Sequence, residues 1–354
     1  MTNMTPEQIT KALDAGIIDA AQAKAMRSKI KPSSKPVQDI DAAVIGDEEN
    51  MRFVRSFSDV FIAIGIGLLV LGLFATIGMF GGGALYLGGA GVLWLMCEYF
   101  GRKRRSHLPT LLLAFAFLIF VHKGLSAVLD MGQSAIIPSI VTLLAMLLFY
   151  WRFRLPFAVA LIALALIMIV FSLLGGTVPA GILMIVSGLA LFGAAILYDM
   201  RDTARKTRFS DNAFWLHFTA APLIIHGIAL YVLKPEVTKL FDMIPIVHLG
   251  KADAAFMLAI IGVLALVSLA VNRRALLVSS LGYAGFAIGF LIKDIGLDIG
   301  SIVALTLLLL GGGIVFLGVG WHAARGLLLK ILPTSGVFAK IFPPSVSSKI
   351  FSTQ

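Results

Sequence analysis

Residues 155–208 read LPFAVALIALALIMIVFSLLGGTVPAGILMIVSGLALFGAAILYDMRDTARKTR. Two long apolar runs are separated by Gly175 and Gly176, and the second run leads into a turn that carries several arginines and a lysine. About 20 apolar residues, in a helix that rises 1.5 Å per residue, cross the roughly 30 Å hydrocarbon core of a bilayer. The stretch therefore predicts a hairpin of two membrane-spanning helices with a basic turn at its end.

The same pattern recurs along the chain, so the sequence predicts an all-α, polytopic helical integral membrane protein with about ten transmembrane helices. The predicted transmembrane domain covers residues 56–321 and lies between an N-terminal segment, residues 1–55, and a C-terminal tail, residues 322–354. The apolar runs are residues 57–78, 81–100, 109–129, 134–151, 155–174, 177–198, 213–233, 254–271, 275–293 and 299–320.

The composition excludes most other classes of protein. Of 354 residues, 59% are hydrophobic and 14% are charged, and the mean hydropathy is +0.96, whereas soluble domains average about 45–50% apolar and about 25% charged residues. A soluble enzyme and a disordered chain are therefore excluded, and the single cysteine, Cys97, excludes an intramolecular disulfide. The net charge of +10 forms no basic stripe interleaved with aromatic residues, so we expect no nucleic-acid partner.

The arginine and lysine residues are concentrated in the turns that follow every second apolar run. The turns after the even-numbered runs are rich in arginine, whereas the turns between them are rich in glycine or balance their few lysines with acids. Because lysine and arginine in short loops face the cytoplasm, this alternation predicts that both termini are cytoplasmic. The basic turns hold Arg102, Lys103, Arg104 and Arg105, then Arg152 and Arg154, then Arg201, Arg205, Lys206 and Arg208, then Arg273 and Arg274, and finally Arg325 and Lys330.

The N-terminal segment predicts a short helical hairpin followed by a linker. Pro6 suits a first helical turn, and Gly16 suits the left-handed position just after a helix end. Asp19 and Gln22 have the spacing of a capping box that opens a second helix. The hairpin either rests on the cytoplasmic face of the membrane domain or binds a partner, so residues 5–30 are the expected site of a protein partner or of self-association.

Ionisable side chains also occur inside the predicted spans. A charge at membrane depth is costly, which makes each such group a functional candidate. Two alternatives stay open, because the lysines can extend to the outer headgroups and the histidine on the seventh run can bond a helix carbonyl. The candidate substrate-binding residues, which we expect to converge on one polar cavity in the outer half of the bundle, are His122, Lys123, Asp130, His226, Lys293 and Asp294.

Two segments outside the spans carry weaker signals. Residues 235–244, PEVTKLFDMI, predict a short amphipathic helix in the long outer loop, and the acidic and histidine residues of that loop fit no metal-site spacing. In the C-terminal tail, Lys330, Lys340 and Lys349 each precede bulky apolar residues. This composition predicts contact with the anionic cytoplasmic leaflet, so membrane lipids are expected partners.

Glycines within the spans predict that helices pack closely against one another inside the bundle. The alternatives are that these glycines widen a pathway or form the face of a homodimer. The clearest groups are Gly65, Gly67 and Gly72 in the first run, Gly88, Gly89 and Gly91 in the second, and Gly311, Gly312, Gly313, Gly318 and Gly320 in the tenth.

Both ends of the chain carry recognisable patterns, ALDAGIIDAAQAKAM at residues 12–26 and LGGGIVFLGVGWHAARGLLLKILP at residues 310–333. Through these segments the chain resembles a family of bacterial predicted membrane proteins of unknown function, which join a short N-terminal helical hairpin to a polytopic core. The resemblance implies a bacterial cytoplasmic (inner) membrane location. It implies no catalytic residues.

The sequence contains no nucleotide-binding loop, no metalloprotease motif and no nucleophile elbow. We therefore expect no enzyme activity, no cofactor and no metal site. The polar side chains inside the predicted spans favour the hypothesis that the protein is a small-solute transporter or exporter, because a transport pathway would account for them. The alternative is a membrane scaffold or assembly factor that docks its partners through the N-terminal hairpin.

Overall fold

The structure is a computed structural model that describes residues 6–19, 21–23, 57–132, 134–203, 205, 207–233, 237–240, 244–247 and 251–343. The chain divides into two compact units, Met1–Glu48 and Glu49–Gln354.

The first unit begins with α1 (Pro6–Asp14). Gly16 follows this helix with a φ of 69°, the left-handed conformation that glycine adopts without strain. Asp19 and Gln22 form a capping box, in which each backbone N–H donates to the other side chain, at 2.7 Å and 3.0 Å. These contacts confirm the sequence signals for the end of one helix and the start of the next, while the part of the predicted hairpin after residue 23 lies outside the described residues.

The second unit is a bundle of helices joined mostly by short turns. The first four long helices are α2 (Phe57–Phe80), α3 (Gly83–Cys97, continued by a π-helix at Glu98–Lys103), α4 (His107–Val128) and α5 (Ile136–Phe153). The next four are α6 (Phe157–Leu174), α7 (Ala180–Arg201), α8 (Arg208–Ile228, continued by a π-helix at Ala229–Leu233) and α9 (Lys251–Val271). The last four are α10 (Ala275–Val278), α11 (Leu281–Ile292, continued by a 3₁₀ turn at Lys293–Ile295), α12 (Ile299–Leu328) and α13 (Phe338–Ile341).

Nine helices in the described part of the chain are long and apolar enough to cross a membrane. The protein is therefore a polytopic, all-α membrane protein, as the sequence predicts. The ninth predicted run, residues 275–293, differs because it is divided into α10 and α11 at Ser279 and Ser280. The Ser279 hydroxyl donates to Ala275 O at 3.1 Å and the Ser280 hydroxyl to Leu277 O at 2.8 Å, local bonds that compete with regular helix.

A two-stranded antiparallel hairpin occurs where the sequence predicted an amphipathic helix. β1 (Val237–Leu240) pairs with β2 (Ile244–Val247), with Val237 opposite Val247. The helix prediction was wrong because this loop is rich in β-branched residues, which favour strands, and because Pro245 disfavours a helical conformation at Ile244, the last residue of the predicted helix.

The largest hydrophobic core lies among α2–α6 and has an aromatic centre. The ring of Trp94 packs edge-on against Phe149, with 5.9 Å between centroids, and against Phe153 at 5.2 Å. Tyr86 packs edge-on against Phe120 at 5.4 Å. Such edge-to-face pairs stabilise a fold beyond the burial of apolar surface alone. Contacts between aromatic rings therefore help to hold α2–α6 together.

Several glycines in the described part of the chain bring helices together. A Cβ at Gly83 of α3 would lie 2.5 Å from Val128 N of α4, and a Cβ at Gly188 of α7 would lie 2.7 Å from the Ile224 side chain of α8. Among the glycines predicted to mediate packing, Gly89 does so, since its Cβ would lie 2.8 Å from the Phe120 ring. The prediction of packing within the bundle was wrong for the others, and a role in a pathway or a homodimer stays a prediction for them. A Cβ would meet nothing within 4 Å at Gly65, Gly67, Gly72, Gly88, Gly91, Gly311, Gly312, Gly313, Gly318 and Gly320.

The chain after α12 returns to the bundle. α12 continues to Leu328, beyond the predicted end of the membrane domain at residue 321. The Arg325 guanidinium donates to the Pro343 carbonyl, and α13 packs against α7. The first part of the predicted tail is thus packed on the helices, while Lys349 lies outside the described residues.

Candidate functional site

The basic turns of the first half of the bundle lie at one end of it. Arg152, near the end of α5, forms an ion pair with Glu98, which opens the π-helix after α3, at 2.8 Å. Arg104, in the turn after α3, donates to the Ser58 hydroxyl at the start of α2 at 2.9 Å. Arg208, at the start of α8, lines the same cavity as Glu98.

The basic turns of the second half meet in the same way. Arg205, between α7 and α8, donates to the Asn272 carbonyl after α9 at 2.7 Å. Arg325, near the end of α12, donates to the Leu269 carbonyl at 3.1 Å. The divided helix α10–α11 therefore leads away from the basic end and α12 returns to it, which is the alternation that the sequence predicts.

A buried charge network joins three helices at this end. Arg273 Nε lies 3.1 Å from Asp199 Oδ1, and Arg273 Nη2 also bonds this carboxylate and donates to the Ser210 hydroxyl at 3.0 Å. His217 Nε2 lies 2.9 Å from Asp199 Oδ2. The side-chain exposures of His217, Arg273 and Asp199 are 0%, 2% and 12%. We call Asp199, Ser210, His217 and Arg273 the Asp199 network.

The helices place these groups together through close backbone contact. Asp199 lies in the last turn of α7 and His217 lies on α8, and these two helices approach closely at Gly188. The ring of Phe192 covers His217 edge-on at 5.2 Å. Arg273 enters from the turn after α9, so the carboxylate is bonded from two sides in a setting from which water is largely excluded.

A layer of polar contacts closes the network on the side of α12. The Trp321 indole N–H donates to the Asn272 side-chain oxygen at 2.8 Å, and the Arg274 guanidinium lies over the Trp321 ring at 5.1 Å. Trp321 is only 2% exposed. Because an aromatic N–H in a buried site needs an acceptor, Asn272 ties α12 to the turn that carries Arg273.

A second cluster of charge lies beside the Asp199 network and is open. It is a cavity of about 960 Å³ at the ends of α3 and α5 and the starts of α4 and α8. Five of its lining side chains are arginine or lysine, and its one lining carboxylate, Glu98, is already paired with Arg102 and Arg152. We call this cavity the basic cleft; it is lined by Leu95, Glu98, Tyr99, Gly101, Arg102, Lys103, Arg105, His107, Phe153, Arg154, Leu155 and Arg208.

Three of the predicted site residues, on α4 or just after its end, differ in their solvent exposure and in their contacts. His122 is buried, and its Nδ1 lies 3.4 Å from the Thr142 hydroxyl of α5. The Lys123 ammonium lies over the Phe74 ring at 5.3 Å. Asp130 is exposed after the end of α4 and has a φ of 49°.

The other predicted site residues lie in the second half of the bundle. His226 on α8 is 9% exposed, and its Nδ1 lies 2.7 Å from the Tyr283 hydroxyl of α11. The Lys293 ammonium lies over the Phe290 ring at 3.8 Å. Asp294 lies in the 3₁₀ turn after α11. His122 and His226 thus contact different helices, and the convergence of all six residues on one cavity stays a prediction.

The sequence analysis missed the Asp199 network. It placed Asp199 just outside the sixth apolar run, and it assigned Arg273 to topology alone. The available signal was a carboxylate within one turn of a span end, followed by a histidine, His217, inside the next span. Only tertiary structure brings the turn after α9 to that pair.

No group of three or more histidine, cysteine, aspartate or glutamate side chains in the described ranges is placed to hold a metal ion. Comparison of the chain with family models, with curated proteins and with solved structures finds no match. The candidate function therefore rests on the geometry of this chain.

Proposed function

We propose that this integral membrane protein is a small-solute transporter or exporter whose pathway passes between α8 and α11. The observation that carries the proposal is a polar pair inside the apolar bundle, His226 and Tyr283, joined at 2.7 Å. His226 Nε2 is buried and has no hydrogen-bond partner within the described residues. A buried polar atom that lacks a partner is costly, and a solute, a proton or water in a pathway supplies that partner.

The depth of the pair supports this proposal. His226 follows Ser210 of the Asp199 network by roughly 16 residues, or about 24 Å along an α-helix, in a hydrocarbon core about 30 Å thick. The surrounding cluster is apolar and includes Ile225, Met257 and Ala284. The pair is thus far from the basic end and inside the hydrocarbon region, where polar side chains are energetically costly.

Irregular helix on both sides of the pair also supports the proposal. α8 contains Pro222 and changes to π-helix at Ala229, three residues after His226. α11 is separated from α10 at Ser279 and Ser280. Discontinuous helices and π-helical segments are common where membrane transporters bind their substrates.

We further propose that the membrane is the bacterial cytoplasmic membrane, with the basic end on the cytoplasmic side. The support is the resemblance of the two terminal segments to bacterial membrane proteins and the enrichment of arginine at this end. In this orientation His226 lies in the outer half of the bilayer.

The test is water access to His226. The native cysteine, Cys97, is buried, so a Cys97→Ala background allows a single introduced thiol to be followed. We expect His226→Cys, in reconstituted vesicles, to react with a membrane-impermeant cationic methanethiosulfonate. Asp298→Cys, at an exposed turn, is the reactive reference, and Leu307→Cys, 64% exposed on the apolar surface of α12, is the unreactive one.

A His226→Cys thiol as inert as that of Leu307→Cys, beside a reactive Asp298→Cys, overturns the pathway. The scaffold role would then be preferred, and deletion of residues 1–50 should remove a partner in affinity purification.

A further inference from the structure

We propose that the basic cleft binds the phosphate-bearing headgroup of an anionic phospholipid. The basic cleft is an open, positively charged cavity at the basic end of the bundle. It shares α8 with the proposed pathway but is distinct from it, because the cleft residue Arg208 precedes His226 by 18 residues, or about 27 Å along the helix.

The basic cleft carries unbalanced positive charge. Lys103, Arg105, Arg154 and Arg208 are exposed and make no side-chain hydrogen bond or ion pair within the described residues. Glu98 does not neutralise them, because Arg152 and Arg102 already contact its carboxylate. Cations gathered in a concave site repel one another and attract a counter-anion. The cleft therefore has an excess of positive charge that Glu98, its one lining carboxylate, does not balance.

Two helices begin at the basic cleft. His107 is the first residue of α4 and Arg208 is the first residue of α8, and both line the cleft. The first turn of a helix offers unpaired N–H groups and a partial positive charge, which favour phosphate. At α4 the preceding Ser106 hydroxyl donates to Asp59 at 2.5 Å and makes no bond to this turn. At α8 the Thr207 hydroxyl already accepts from the Phe209 N–H at 3.3 Å, so α4 is the helix whose first turn has no side-chain cap.

Two arginines of the basic cleft have an unusual backbone conformation. Arg105 has a φ of 55° and Arg154 has a φ of 52°, a left-handed region that non-glycine residues seldom adopt. Glycine would fit either position with less strain, yet both carry an arginine that lines the cleft. Two strained positions thus present guanidinium groups, which bind phosphate through paired N–H donors, to one cavity.

Exposed apolar and aromatic side chains beside the cations indicate the source of the phosphate. Leu95 and Tyr99 line the cleft and are 69% and 51% exposed. Leu95 lies on the apolar helix α3, and Tyr99 lies at the level where aromatic residues meet headgroups. A cavity that joins cations to an exposed apolar flank fits a headgroup with acyl chains, and basic pockets at helix ends are suited to such lipids.

The experiment uses the full-length protein, purified in detergent and stripped of lipid. Phosphatidylglycerol and phosphatidylcholine with the same acyl chains are titrated separately, and bound lipid is counted by native mass spectrometry. We expect the wild type to bind phosphatidylglycerol preferentially. The double variant Arg105→Gln, Arg154→Gln should bind it at least about tenfold more weakly, because two cationic contacts are lost.

The matched control is Arg104→Gln, Arg201→Gln, which removes the same charge from exposed positions at the same end that do not line the cleft. It should bind like the wild type. Equal losses in both double variants, or no loss in the cleft variant, would overturn the proposal. If the cleft variant does not fold, Lys103→Glu serves instead, with the same expected loss.

Inorganic phosphate is the second arm, measured as the rise in the Tm of the lipid-free protein. We expect no rise at concentrations where phosphatidylglycerol stabilises the wild type. A phosphate-induced rise that matches the lipid-induced one and disappears in Arg105→Gln, Arg154→Gln would assign the cleft to a soluble anion and overturn the lipid assignment.

Discussion

The Asp199 network and the basic cleft lie at the same end of the bundle and contain the same kinds of side chain. In the network, Asp199 is shared by Arg273 and His217; these two are buried, and the Asp199 side chain is 12% exposed. In the cleft, Arg105 and Arg154 are exposed and have no acidic partner among the described residues. One site is closed and balanced, whereas the other is open and has excess positive charge.

The difference shows how burial selects the partners of a charge. A guanidinium that leaves water without a carboxylate loses its hydration and gains little in return, so Arg273 is compatible with the interior only beside Asp199. An exposed guanidinium keeps its hydration and stays available to an external anion. The closed site is therefore expected to govern stability, and the open site is expected to govern binding.

The largest effect should follow the loss of the shared carboxylate. Asp199→Ala leaves the Arg273 guanidinium buried and uncompensated, which costs about 3–5 kcal/mol of unfolding free energy. Denaturation with SDS in mixed micelles, followed by circular dichroism, measures this loss.

The matching variant is Asp199→Leu combined with Arg273→Leu, which removes both charges. We expect it to be more stable than Asp199→Ala, since no isolated charge remains. A double variant as unstable as the single one would show that the pair is not coupled.

A smaller effect should follow when the helices that close the network are forced apart. Gly188→Val places carbon atoms against Ile224, where a Cβ alone would lie 2.7 Å from the side chain, and overpacking of this kind costs about 1–3 kcal/mol. Gly193→Val, on the same helix with nothing within 4 Å of its Cβ, is the control. Similar Tm values for the two variants would refute the close α7–α8 contact.

Loss of charge from the cleft should have little effect on stability. The double variant Arg105→Gln, Arg154→Gln removes no ion pair, so its unfolding free energy in a zwitterionic detergent should stay within about 0.5 kcal/mol of the wild type. A large loss would mean that the cleft, like the Asp199 network, holds the fold together, and the contrast between the two sites would fail.

The smallest effect is expected at an exposed carboxylate away from the basic end. Asp298 precedes α12 and accepts bonds from the Ser301 hydroxyl at 2.5 Å and the Ser301 N–H at 3.1 Å, which hold the pKa of this carboxyl below its ordinary value of about 3.9. Its contribution is therefore complete above that ordinary pKa and is lost as the pH falls through the lowered one. Asp298→Ala should reduce the Tm slightly at neutral pH, and the difference from the wild type should shrink in acid; a constant difference would contradict this capping contribution.

Local sequence signals predicted much of this fold. The length of the apolar runs predicted the spans, and Gly16, Asp19 and Gln22 predicted the contacts that end one N-terminal helix and start the next. These signals act within a few residues, so they can be read without tertiary structure. The run at 275–293 shows their limit, because its hydropathy is continuous although Ser279 and Ser280 divide the helix.

The sites were less predictable because they depend on which face of each helix meets a neighbour. Gly89 packs against Phe120, yet Gly88 and Gly91 meet nothing within 4 Å, and composition alone does not separate them. Arg273 and Asp199 are 74 residues apart in sequence, so their pairing is a tertiary property. The alternation of basic turns was predictable because it repeats along the chain and needs no knowledge of helix rotation.

The most direct test of the whole arrangement is whether the divided helix, α10–α11, crosses the membrane. In sealed vesicles of the Cys97→Ala protein, an impermeant maleimide should label Arg105→Cys and Arg274→Cys from the same side, and Asp298→Cys from the opposite side. Labelling of Arg274→Cys and Asp298→Cys from one side would mean that α10 and α11 do not cross the membrane, and it would contradict the gathering of the basic turns at one end.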